Sequence, residues 1–183
     1  MKARAVVATA LVLACVLPCG LSGCRASESE GDAIEGEAAP DAARMAPDFT
    51  LEDLDGKLVK LSALRGKTVV IDFWATWCPP CEFQVPVLNA IHETWHDRGV
   101  VVLGISVDTE GREAVKPYAE KHGVRYTMLL GSEALARDFG APGFPALVVV
   151  GPDGAIRSMH VGLVEEPELQ QVLAEAGAPG KAG

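Results

Sequence analysis

One stretch constrains this chain more than any other. Val69 to Pro86 reads Val-Val-Ile-Asp-Phe-Trp-Ala-Thr-Trp-Cys-Pro-Pro-Cys-Glu-Phe-Gln-Val-Pro. It opens with an apolar, β-branched and aromatic run, the pattern of a central strand buried on both faces. Ala75, Thr76 and Trp77 then turn the chain and deliver Cys78. Two prolines and Cys81 follow, and a helical pattern begins. The attacking species in disulfide exchange is a thiolate. Cys78 falls at the N-terminal end of a helix expected to begin near Pro79, where free N–H groups and the helix dipole favour negative charge. Pro79 and Pro80 suit a first turn, which needs no N–H from them. Cys81 lies one turn on, within reach of a mixed disulfide formed at Cys78. The competing uses of such a pair are a permanent disulfide or half of a zinc site. Zinc needs four ligands, and the sequence has no second Cys pair.

The Trp77-Cys78-Pro79-Pro80-Cys81 core resembles that of thioredoxin-fold proteins, and more narrowly of the membrane-tethered TlpA/ResA-like thiol-disulfide oxidoreductases. The resemblance runs from about Ala46 to about Ala176. It implies an α/β, three-layer thioredoxin-like fold with a central mixed sheet, an N-terminal hairpin and an extra αβ insertion. It implies catalytic roles for Cys78 and Cys81, with Trp77 and Pro79 beside them at the substrate. It also implies a cis bond before Pro145, with Phe144 offering backbone groups to an extended substrate segment. Many relatives place Thr after that Pro, where this chain has Ala146. Asp72 matches the thioredoxin Asp beneath the second Cys, which assists its proton transfer. TlpA/ResA-like proteins often carry Asn there, with a Glu three residues after the second Cys; this chain has Asp72 and Gln84. Independently of any relative, a carboxylate in so apolar a strand is costly to bury, and its pKa is expected to be raised. No cofactor and no metal are implied.

The remaining pattern agrees with that class. Asp48 to Leu61 reads as a hairpin around Asp55-Gly56, and Ser62 to Arg65 as a short helical turn stopped by Gly66. The helix from Pro79 to Asp97 places Phe83, Val87, Ile91 and Trp95 at i+4 as a core face, with Pro86 inside it and Gly99 at its end. His92 and His96 share a face and read as solvated. Strands are expected at Val100–Val107, Tyr126–Leu130, Ala146–Val150 and Ala155–Val161, and helices at Gly111–His122, Ser132–Phe139 and Glu165–Ala176. Alternating strands and helices closed by a hairpin give layered α/β architecture.

Residues 1–23 read as a signal rather than fold: a basic start at Lys2 and Arg4, then an apolar run from Ala5 to Leu17, too short to span a bilayer. Leu21-Ser22-Gly23-Cys24 resembles a lipobox, which implies cleavage before Cys24 and acylation of it. Residues 24–45 are rich in Ala, Glu, Ser, Gly and Asp and read as an acidic tether with a reach of about 25 Å. The thioredoxin-like domain is expected at 46–178, with a tail at 179–183. Of the five cysteines, Cys15 and Cys19 leave with the signal and Cys24 carries lipid, so Cys78 and Cys81 alone remain to titrate. Removing residues 1–23 takes away Lys2 and Arg4 and no acid, so the formal charge of −9 becomes −11. That charge argues against nucleic acid and against adhesion to anionic lipid.

The function expected is thiol-disulfide exchange outside the cytoplasmic membrane, by a lipid-anchored monomer. Relatives of this kind imply disulfide-bearing protein substrates, apocytochrome c among them, and a membrane thiol transporter as electron source. Two alternatives stay open. A Cu(I) chaperone could use two soft thiolates, although such chaperones space their cysteines one residue further apart and add a distal His. A thioredoxin-like peroxidase would resemble the Ala-Pro-Asp-Phe-Thr-Leu opening, yet the positions eight before each Cys are Val70 and Phe73 rather than Pro.

Overall fold

The computed structural model describes residues 44–178. The signal, Cys24, the tether up to residue 43 and the tail lie outside them. β1 (Thr50–Glu52) and β2 (Leu58–Lys60) pair antiparallel as the expected hairpin. The Asp53 carboxylate closes its turn by accepting from the backbone N–H groups of Asp55 and Lys57, each at 2.9 Å. A 3-10 turn, Leu61–Leu64, leads to β3 (Thr68–Trp74). There follow α1 (Cys81–Trp95), β4 (Val100–Ser106), α2 (Arg112–Lys121), β5 (Thr127–Leu130), α3 (Glu133–Phe139), β6 (Ala146–Val150), β7 (Ile156–Val161) and α4 (Glu166–Glu175). Ser132 caps α3 through its hydroxyl, which accepts from Leu135 N–H.

Five strands form the central sheet in the order β5-β4-β3-β6-β7. β3 lies in the middle, parallel to β4 and antiparallel to β6, and all seven of its residues are buried. That is why its sequence is an unbroken apolar run: neither face meets water. Successive side chains alternate between faces. Phe73 packs against Phe139 of α3 at 5.3 Å between ring centroids, and Phe49 before β1 packs on the same ring at 6.2 Å. Trp74 points the other way and meets Tyr118 of α2 at 4.6 Å. The crossovers β3–α1–β4 and β4–α2–β5 run in the same direction, so right-handed connection puts α1 and α2 on one face. α4 packs against α1. Asp72, two residues from Trp74, therefore faces the α1–α2 layer.

Two expectations are corrected in α1. The buried stripe is Cys81, Gln84, Val85, Leu88, Ile91 and Trp95, whereas Phe83 is exposed and Val87 only half-buried. Steps of four residues advance about 40° around a helix of 3.6 residues per turn. A straight i+4 line thus drifts off the core, and the true stripe alternates steps of three and four. The helix also starts at Cys81 rather than near Pro79. Neither proline can donate, so Cys81 N–H makes the first turn by bonding Cys78 C=O at 3.0 Å. At the other end a 3-10 turn over His96–Arg98 stops at Gly99, whose φ of 78° suits glycine. His92 is half-buried rather than solvated, and burial together with its neighbour His96 lowers its pKa.

Candidate active site

The site stands at the end of β3, where the chain leaves the sheet. Cys78 and Cys81 are joined as a disulfide with Cα atoms 5.5 Å apart. Cys78 is 6% exposed and Cys81 1%, so the first sulfur is the one substrate can approach. Cys78 N–H donates to Ala75 C=O at 3.2 Å, and Cys78 C=O receives Cys81 N–H, so two successive tight turns place the pair.

A residue that the sequence reading did not single out holds this approach in place. Asp108, buried just beyond β4, accepts from Thr76 N–H at 3.0 Å, from Thr76 Oγ1 at 2.5 Å and from Ser106 Oγ at 2.6 Å. β4 runs parallel to β3 with Trp74 opposite Ser106. Parallel pairing therefore brings the two strand exits together, and the carboxylate of one exit braces the turn of the other. The signal was a Ser-Val-Asp step directly after an apolar strand, a polar pair where a buried strand reaches a loop.

Phe144–Pro145 is a cis peptide. Ala146, next along the chain, pairs with Phe73 on one side and Val161 on the other. Pro145 therefore shares the sheet end that carries the cysteines. Phe144 is half-buried, and its ring meets exposed Trp77 edge-on at 6.0 Å. Pro145 C=O accepts from Gly162 N–H at 2.9 Å, which folds the loop after β7 toward the same end. Gln84 fixes that loop to α1: its side-chain oxygen accepts from Val164 N–H at 2.9 Å and its amide donates to Val164 C=O at 3.1 Å. Both groups are buried. An amide can satisfy a donor and an acceptor at once, which an ionised Glu could not. Trp77 and Phe83, which flank the pair in sequence, and Val161 and Leu163, at the end of β7 where Val161 pairs with Ala146, are four of the six large apolar side chains exposed among the described residues. Pro79 is exposed beside them.

Asp72 is 2% exposed, and Oδ1 meets no protein hydrogen-bond partner. Burial alone holds its carboxyl well above the ordinary carboxylate range. Glu82 is exposed in the first turn of α1. Among the described residues, none of Asp72, Glu82 or Asp108 forms an ion pair with a cation. His160 is half-buried on β7 and pairs with Glu168 of α4 at 3.4 Å. Among the described residues no three His, Cys, Asp or Glu side chains are arranged to hold a metal ion.

This arrangement can take up and give back two electrons at Cys78, the less deeply buried sulfur, with Cys81 as its partner. The comparisons agree. The AhpC/TSA family model matches residues 42–159. The thiol-disulfide oxidoreductase ResA of Geobacillus thermodenitrificans is 30% identical over 129 residues, covering 70% of this chain and 74% of that protein. A crystal structure of a putative thiol:disulfide interchange protein DsbE from Chlorobium tepidum superposes with a TM-score of 0.68 at 27% identity, covering 74% of this chain and 97% of that one. The exposed lipoprotein thioredoxin Etrx1 of Streptococcus pneumoniae superposes with a TM-score of 0.62 at 28% identity, covering 70% of this chain and 99% of that one.

Proposed function

Since this chain belongs to the AhpC/TSA family and is a thiol-disulfide oxidoreductase of thioredoxin fold, we propose that it works as a reductant of protein disulfides outside the cytoplasmic membrane. Reduced Cys78 attacks a substrate disulfide as a thiolate, and a mixed disulfide forms as one substrate thiolate leaves. Cys81 then attacks Cys78 Sγ, giving its proton to Asp72, and the second substrate sulfur leaves as a thiolate that takes a proton from solvent. The substrate gains two electrons and the protein is left with the Cys78–Cys81 disulfide. A membrane thiol transporter returns those electrons.

One observation carries the direction: Glu82, next to Cys81 in the first turn of α1, and Asp108, bonded to Thr76 just before the pair, have no paired cation among the described residues. Negative charge nearby raises the energy of a thiolate. A strong oxidant such as DsbA owes its potential to a stabilised reduced form; acidic surroundings act the opposite way. The apolar collar of Trp77, Phe83, Val161 and Leu163 favours a protein segment with apolar residues beside its cysteines over small charged thiols such as glutathione. Apocytochrome c before haem attachment, or a related protein in an assembly step, fits that class. Anchoring through acylated Cys24 follows from the lipobox-like Leu21–Cys24, and the lipoprotein relative supports it. Equilibration with defined thiol couples tests the direction. A reduction potential close to thioredoxin's, about −270 mV, is expected; one above about −180 mV, the range of disulfide isomerase and stronger oxidants, would refute it.

A further inference from the structure

The sheet face that carries Asp72 holds further polar atoms that the exchange scheme leaves unused. On the face covered by α1 and α2, Asp72, Gly104 and Met128 lie side by side on β3, β4 and β5. Gly104 has no side chain, and its neighbours fill the space above it. A Cβ there would lie 2.5 Å from Met128 Sδ, 3.0 Å from Tyr126 Cε2 and 3.3 Å from Trp74 Nε1. Tyr118 of α2 packs against Trp74 at a tilt. Thus a carboxyl, an indole N–H and two phenol rings converge over one glycine. Four of their polar atoms, Asp72 Oδ1, Trp74 Nε1, Tyr118 OH and Tyr126 OH, are buried without a protein hydrogen-bond partner. Native chains leave few such groups, and a cluster of them marks a place where internal water bridges or a proton moves. An open cleft of about 220 Å³, lined by Asp53, Leu54, Ala119, Val124, Tyr126 and Met128, opens to solvent beside Tyr126.

We propose that Tyr118 and Tyr126 are positioning residues for the resolving step: with Trp74 they hold internal water against Asp72 and pass its proton to solvent. The inference rests on the exchange reading above. As Cys81 Sγ bonds to Cys78 Sγ, the bond from Cys78 to the substrate sulfur breaks and the Cys81 proton goes to the Asp72 carboxylate. The neutral carboxyl then gives that proton through the hydroxyl-bound water to the cleft beside Tyr126, and a proton from solvent neutralises the departing thiolate. The titratable groups that feel the Asp72 charge are Tyr118 from α2 and Tyr126 before β5; Glu82 and Asp108 add their charge at Tyr118, and His122 stacks on its ring at 4.1 Å. Burial, then Asp72 beside it, raises Tyr126 well above the ordinary phenol range, so its hydroxyl stays a donor throughout.

The test is stopped-flow reaction of the reduced protein with 5,5′-dithiobis(2-nitrobenzoate) across pH. The first thionitrobenzoate released reports attack by Cys78, the second resolution by Cys81. Tyr118→Phe and Tyr126→Phe each remove one hydroxyl that holds water against the ionised carboxylate. The acid limb of the second phase should move to higher pH, a slowing of roughly tenfold on that limb, with the first phase unchanged. Placed in an Asp72→Asn background, neither substitution should change the second phase further. Infrared difference spectroscopy supplies a readout independent of rate. The carboxyl C=O band that Asp72→Asn abolishes should shift upward in frequency in each Phe variant. An unmoved limb and unmoved band in both variants would overturn the inference. A wild type that never releases the second equivalent would overturn the exchange reading and this inference with it.

Discussion

Replacing Asp72 by Asn should make the protein more stable and less competent. The side chain is 2% exposed and Oδ1 has no protein partner, so its carboxyl is held well above the ordinary range by burial alone. In the unfolded chain the same group titrates near its ordinary value of about 3.9. Between that value and the raised folded one, the folded protein keeps a proton that the unfolded chain has released. Stability therefore falls as pH rises through this window and levels off above the folded pKa. Asn keeps the shape and does not titrate, so its advantage opens above about pH 4 and is complete once Asp72 would be ionised. Burying an unpartnered polar group costs about 1–3 kcal/mol, and a carboxylate more; a domain of this size gains about 4 °C in Tm per kcal/mol. Removing a positioned base should slow resolution by about 10²-fold or more while leaving attack by Cys78 unchanged. Denaturant titrations of the reduced forms at pH 4 and pH 8 give the stability arm, and single-turnover exchange gives the kinetic arm. Equal stability at both pH values together with unchanged resolution would refute the reasoning.

Two further outcomes are expected. Asp108→Ala orphans the half-buried Thr76 N–H and two hydroxyls, and should cost about 3–5 kcal/mol in denaturant titration; Thr76→Val, losing only the hydroxyl bond, should cost about 1.5–3 kcal/mol, and iodoacetamide should modify Cys78 at a different rate in each. Wild-type protein expressed from the full chain should partition with membranes and carry lipid at Cys24, whereas Cys24→Ala should not be processed at that site; mass spectrometry of the mature N-terminus decides this, and a soluble wild type beginning elsewhere would contradict it.

What the sequence disclosed was local. The apolar run of β3, Ser132 at the start of α3 and the glycine at the end of the first long helix each act within a few residues, and those elements fall where the signals put them. Asp72 was legible because a charge inside an unbroken apolar strand has nowhere solvated to go. What escaped was non-local. Asp108 braces Thr76 across 32 residues and Gln84 clasps Val164 across 80, and no pattern within α1 or β4 encodes those partners. Tyr118 and Tyr126 carry no signal of their own in the sequence; only the sheet register, which pairs Asp72 with Gly104 under the Tyr126 ring, brings them toward the carboxyl. Phe83 was misplaced because a strict i+4 line was followed where a helix stripe alternates its steps, and because an apolar side chain at a substrate-facing position looks the same as one in a core.

The central claim is that Cys78 attacks and Cys81 resolves. Cys81→Ser, presented with a protein disulfide whose cysteines are flanked by apolar residues, removes the resolving thiol and nothing else at the exposed sulfur. The account predicts an accumulating mixed disulfide that mass spectrometry maps to Cys78, and, in the reduced wild type, alkylation of Cys78 ahead of Cys81. No trapped species, or labelling of Cys81 first, would contradict it.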